Sequence, residues 1–234
     1  MDNKCKVGIM QPYFLPYLGY FQLMNAVDKY VVYDDVNYIK GGWINRNHIL
    51  ANSVSTRINL ILREASPNKL INEVGVMHNN TKLLKTLSMA YSKAPYFKAV
   101  YSVVESIITY EEDNLGLYLY HQFAELCKYM QIDTELILSS SLNKDCSLKA
   151  EDKVIHICGI LNAGEYFNSV GGLELYSKER FRENGMELHF MKMKSDVTYK
   201  QFNDTFVPNL SIVDVMMFNS VEQIHELLTQ YELL

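Results

Sequence analysis

No run of lysine and arginine interrupts this chain, and 22 basic against 27 acidic side chains leave a formal net charge of −5. A nucleic-acid binder needs a basic patch to neutralise phosphates, so that class is set aside. No apolar stretch approaches the roughly 20 residues of a membrane-spanning helix. The opening MDNKCKVGIMQ has neither the apolar core nor the cleavage site of a signal peptide. Cys5, Cys127, Cys146 and Cys158 show no C-x-x-C spacing, which argues against a zinc site and against a disulfide framework. A reduced cytoplasm is therefore the expected compartment. There is no internal repeat, no G-x-S-x-G elbow and no Ser/His/Asp order for nucleophilic catalysis. Tryptophan occurs once, against 17 tyrosines. A tyrosine joins an apolar body to a polar tip, which suits a half-wet cleft, an interface or plain half-buried packing.

What is present reads as an ordinary globular chain, 48% hydrophobic and 21% charged. The stretch from Lys6 to His48 organises the rest. Val7 to Met10 is a short apolar run of the buried parallel-strand kind, stopped at Gln11-Pro12. Leu18, Phe21 and Met24 then recur at helical spacing, and Tyr30 to Tyr33 gives a second strand ending at Asp34-Asp35. A right-handed crossover puts both strand ends at one edge, where Gln11–Tyr20 meets Asp34–Arg46 and where open α/β sheets take their ligands. Thr56 to Leu62 reads as a third strand. From Asn80 the pattern turns helical, with apolar stripes over 81–91, 96–110 and 114–130. Thr134–Leu138 and Glu187–Met193 return to strands around a helix over Lys149–Leu161; Ser177, Ser211 and Ser220 stand as caps of later helices. The expected architecture is one α/β domain over 1–234, a Rossmann-like open parallel sheet with a helical insertion at about 80–130.

Adjacent residues on an extended strand face opposite ways, so Asp34 and Asp35 cannot share a dyad; one faces the cleft and the other caps or solvates. No metal site is expected from so few ligands. Lys40 and Arg46 flank Gly41-Gly42 and Trp43, and the N–H groups of a Gly-Gly turn with two cations would hold a diphosphate. The alternative is a solvated hairpin with Trp43 in the core. Gln11, Tyr13, Tyr17 and Tyr20 offer hydrogen-bonding edges and a stacking surface for a base or sugar. His78, in a loop before a helix, is the leading general base, with His48 the runner-up. Tyr199 and Gln201, read as one strand face, would close the far side of the pocket.

These residues resemble the WbqC-like proteins. The likeness rests on Gln11-Pro12-Tyr13 with Pro16-Tyr17-Leu18-Gly19-Tyr20, on Tyr33-Asp34-Asp35-Val36 and on Trp43-Ile44-Asn45-Arg46. It continues through His78 with Lys82, the Tyr91–Phe97 segment, and Tyr199-x-Gln201 to Pro208-Asn209-Leu210-Ser211-Ile212-Val213-Asp214. It adds Asn45 to the ligand-binding set. It implies a place among bacterial surface-polysaccharide (O-antigen, lipopolysaccharide) and nucleotide-sugar functions, hence a transferase on a nucleotide-activated amino sugar, with acyl transfer the leading reaction. The implied partner is a nucleotide or nucleotide sugar, with a homo-oligomer open and no cofactor named. A second, weaker likeness is to nucleotidyltransferases, with Tyr17-Leu18-Gly19-Tyr20 where those carry His-x-Gly-His. The missing imidazoles count against adenylyl transfer. A non-catalytic scaffold of the polysaccharide machinery is the third reading.

Overall fold

A computed structural model describes residues 4–234; Met1 to Asn3, part of the stretch read for a leader, lie outside the described residues. The chain opens with β1 (Cys5–Met10), α1 (Leu18–Ala26) and β2 (Lys29–Val32), the expected strand–helix–strand unit. β1 and β2 pair in parallel from Val7 against Lys29 to Met10 against Val32. Then come two hairpins, β3 (Arg46–Ala51) with β4 (Val54–Asn59) and β5 (Leu62–Arg63) with β6 (Gly75–Val76). Three helices follow, α2 (Thr81–Tyr91), α3 (Phe97–Ile108) and α4 (Leu115–Met130). The chain returns through β7 (Glu135–Leu138), α5 (Ala150–Ile160), β8 (Ala163–Ser169), α6 (Lys178–Glu183) and β9 (Glu187–Met193). It closes with α7 (Ile212–Phe218), α8 (Val221–Leu228) and β10 (Tyr231–Leu233).

The main sheet runs β10-β9-β8-β1-β2-β7, parallel except for β10. The chain winds outward from β1 through β2 to β7, then returns to the other side of β1 with β8 and β9. The order reverses between β1 and β8, so loops diverge there outside the strand ends. Val7, Ile9 and Val31 pack on one face with Val154, Ile157 and Cys158 of α5 and Phe181 of α6. Tyr30, Val32 and Phe167 face the other way, into a larger core with α1, α4, α7 and α8. Helices thus cover both faces. The α1 helix is buried nearly all round rather than along the single stripe of Leu18, Phe21 and Met24: Tyr20, Gln22 and Leu23 are buried as well. The reason is that α8 covers its outer side, where Gln22 donates to the carbonyls of Leu227 and Gln230 at 2.8 and 3.0 Å. At Gly8 an added Cβ would come within 2.8 Å of Leu23, so the close approach of α1 to β1 requires glycine.

The third strand, expected over Thr56–Leu62, forms as β4 over Val54–Asn59 and pairs with β3 outside the main sheet. Asn52 and Ser53 both take left-handed φ, 50° and 65°, the geometry that turns a strand back on itself as a tight hairpin. Tyr199 and Gln201 do not lie on a strand: the chain from Lys194 to Leu210 is irregular.

Candidate functional site

Two depressions open at the edge where the parallel strands end, and they share no lining residue. The first, about 300 Å³, is lined by Tyr13, Pro16, Tyr17, Trp43, Asn47 and Asn209. Its floor is the β1–α1 loop. Leu15 stands there at φ 44°, a left-handed conformation that a leucine holds only under outside constraint. The constraint is visible. Buried Gln122 of α4 accepts from the Leu15 N–H at 2.9 Å and donates to the Tyr13 carbonyl at 3.0 Å. Asn47 donates to the Phe14 and Leu15 carbonyls at 3.2 and 2.6 Å, and the Ser211 hydroxyl donates to Leu15 at 2.8 Å. Over the loop, the Tyr17 ring lies so close to Gly19 that a Cβ there would fall 2.5 Å from it. Glycine at 19 is therefore what lets Tyr17 lie down as a pocket wall. Trp43 is 48% exposed, and its ring meets that of His48 edge-on, centroids 5.5 Å apart. Burial raises the pKa of Tyr13 and Tyr17, so both hydroxyls stay protonated as donors near neutrality.

The second depression, about 630 Å³, lies beyond β2 and β7 and takes in Tyr33, Asp35, Asn37, Ser140, Lys144, Cys146, Lys149 and Lys153. Asp34 and Asp35 stand in the loop that follows β2 and reach different partners. Asp34 is buried and accepts from the Ser140 N–H at 2.9 Å, the Ser140 hydroxyl at 2.6 Å and Asn72 at 3.4 Å. Asp35 meets Lys144 at 2.9 Å and Lys153 at 3.1 Å, both on Oδ2. Burial works against the Asp35 charge, yet the Ser139 hydroxyl and the two ammonium groups outweigh it and hold its pKa below the ordinary 3.8.

A family model for the WbqC-like protein family matches residues 11–226, which takes in both depressions. The chain belongs to the WbqC-like protein family. It is also 26% identical over 225 residues to an uncharacterized protein, Rv1507c, of Mycobacterium tuberculosis (strain ATCC 25618 / H37Rv), covering 92% of this chain and 93% of that one. No solved structure matches.

In this WbqC-like chain the residues singled out from sequence separate into groups. Tyr13, Tyr17 and Trp43 come together as one wall, and Trp43 is not tucked into the core; Ile44 takes that place. Gln11 is half-buried and its carbonyl accepts from Tyr20, whose ring is 4% exposed. Lys40 is exposed beside Gly41, and Arg46 begins β3 half-buried with Nε unpaired. Asn45 works inside the fold, donating to Leu60 at 2.9 Å and accepting from Tyr38 at 3.0 Å. Tyr199 and Gln201 donate to the buried Asp214 at 2.7 and 2.6 Å, where Tyr91 donates too at 2.7 Å. Burial raises the Asp214 carboxyl, those three donors opposing it. His78 is exposed, 2.8 Å from Asp113, and lines a separate depression with Thr81 and Tyr110. Sequence reading passed over Asn47, Gln122, Lys144 and Lys153. For Lys153 a signal existed: it stands four residues before Ile157, at the border of the apolar stripe of α5.

Proposed function

We propose that this chain is a cytoplasmic transferase, one α/β domain of Rossmann-like type, acting on a nucleotide-activated amino sugar of bacterial surface-polysaccharide (O-antigen) biosynthesis. The observation that carries the reading is the half-exposed Trp43 set against Tyr13 and Tyr17 at the strand-end edge. Large aromatic surface left open beside protonated hydroxyls and two amides suits the flat face of a base or sugar. Counted among the parallel strands alone, the order 3-2-1-4-5 found here is that of nucleotide-binding open sheets. Lys40 and Arg46, on the same loop and hairpin, are the cations for the diphosphate. The acyl-transfer version needs a base near the aromatic wall. His48, in ring contact with Trp43, meets that requirement more directly than His78 does. Nucleotidyl transfer finds less support, because the second histidine of His-x-Gly-His is matched by Tyr20, whose hydroxyl is turned to a backbone carbonyl.

The chain's single tryptophan makes the test direct. UDP-, dTDP- and GDP-sugars are titrated while Trp43 emission is followed, with a thermal-shift scan in parallel. Saturable quenching by one of them is the expected result. Flat emission and unchanged melting across the panel would sink the reading; binding without turnover in the presence of acyl-CoA thioesters would leave a non-catalytic binding subunit.

A further inference from the structure

The charged depression calls for its own ligand. The side chains of Lys144 and Lys153 are 2% and 11% exposed, and among the described residues Asp35, 11% exposed, is the one carboxylate they share. Cations are seldom buried without a matching charge, because losing hydration costs several kcal/mol per ion unless a partner offsets it. Here two withdrawn cations face one anion. Asp34 does not correct the imbalance, since it is spent on Ser140 and Asn72 on the opposite side. Nor do Glu151 and Asp152 in the first turn of α5, since Arg180 holds both, at 3.1 and 2.6 Å.

Further positive character converges on the same cavity. Lys149 stands at the start of the eleven-residue α5 and puts no side-chain cap on it, leaving the first N–H groups of that helix without a side-chain acceptor. Both lysines bind Oδ2 of Asp35. An ammonium group has three N–H donors. Lys144 directs its own to Asp35 and to the Ser139 carbonyl, and Lys153 directs its own to Asp35 alone, so donors remain on both.

We propose that this cleft is a second binding site, taking the phosphate or carboxylate group of a small-molecule anion on Lys144 and Lys153, with Lys149 at the mouth. The site is independent of the aromatic pocket and stands whether or not a nucleotide sugar binds there.

Cys146 lines the cleft and is the exposed cysteine among the four, with Cys5 half-buried and Cys127 and Cys158 buried. Its alkylation by uncharged iodoacetamide, followed by peptide mass, reports occupancy of this cavity in the full-length chain. Pyrophosphate and malonate serve as separate probes, with sodium chloride at matched ionic strength as the control. The expected result is severalfold slower alkylation of Cys146 with one or both anions, no protection by chloride, and unaltered Trp43 emission. Pyrophosphate alone acting identifies a phosphate site, malonate alone a carboxylate site. Lys149→Glu, a surface change that leaves the fold intact, should weaken the protecting anion about tenfold or more. Absence of protection by both anions overturns the proposal, and so does undiminished protection in Lys149→Glu. A parallel change in Trp43 emission also overturns it, by placing the anion in the aromatic pocket.

Discussion

The two depressions sit at the same sheet edge and are built on opposite principles. The aromatic one is shaped by neutral hydrogen bonds that pin backbone: Gln122, Asn47 and Ser211 hold the Tyr13–Leu15 stretch, and the exposed rings above carry no formal charge. The charged one is held by ion pairs among withdrawn side chains, with Asp35 between Lys144 and Lys153. A pinned backbone survives changes of salt and pH that an ion-paired cluster does not. The first is a fixed surface waiting for a flat ligand. The second is balanced only in part by the protein itself.

The contrast is broken most forcefully at Asp35. Asp35→Ala leaves two withdrawn ammonium groups without a carboxylate and should lower stability by about 3–5 kcal/mol, measured by urea unfolding. A loss under ~1 kcal/mol would mean that the lysines swing out to water. Asn47→Ala leaves the Phe14 carbonyl without its side-chain donor and the Leu15 carbonyl with Ser211 alone; it should cost about 2 kcal/mol and abolish ligand-induced quenching of Trp43 while leaving protection of Cys146 in place. Acid acts on the charged site next. The Asp35 carboxyl is held below 3.8 in the folded chain, so its contribution is fully present above the unfolded value and fades as pH falls through the lowered folded one. Stability by urea unfolding should therefore fall in that acid range, and fall less in Asp35→Asn, which has no carboxyl to titrate there. Trp43→Ala, at a half-exposed position, should alter stability by no more than about 0.5 kcal/mol, yet weaken a stacked ligand about tenfold. Smallest of all, His78→Gln should leave turnover unaltered, whereas His48→Gln should reduce it; the reverse ranking would restore His78 to the mechanism.

Three residues of the aromatic pocket, Tyr13, Tyr17 and Trp43, were legible because they follow the first strand and its loops, whereas Asn47 and the distant Asn209 were not. Periodicity also places the strand–helix–strand unit, the helical stripes from 81 to 130 and the serine caps, since each is a local property. What stayed hidden depends on distant chain. Lys144 and Lys153 look like ordinary polar positions until β7 pairs beside β2 and brings them against Asp35. Gln122 sits on a helix stripe that reads as core, and nothing nearby says that it grips a loop more than a hundred residues away. Tyr199 lines a small hollow with Tyr17 and Asn209, and what stayed hidden is that its hydroxyl and the Gln201 amide both donate to Asp214, a carboxylate buried only in the tertiary fold. The hairpin over β3 and β4 turns on Asn52 and Ser53, residues that tolerate left-handed φ without announcing it.

The pairing of β2 with β7 carries a consequence for how the chain reaches this state. Lys29 lies opposite Glu135, so that contact closes a loop holding both hairpins and three helices. Closing so long a loop is entropically costly until its interior is ordered, and such pairings form late. Gln122, Asn209 and Ser211 also come to the aromatic pocket from distant chain, so both depressions wait for long-range closure. An anion able to bridge Lys144 and Lys153 would hold the β2–β7 closure once it has formed.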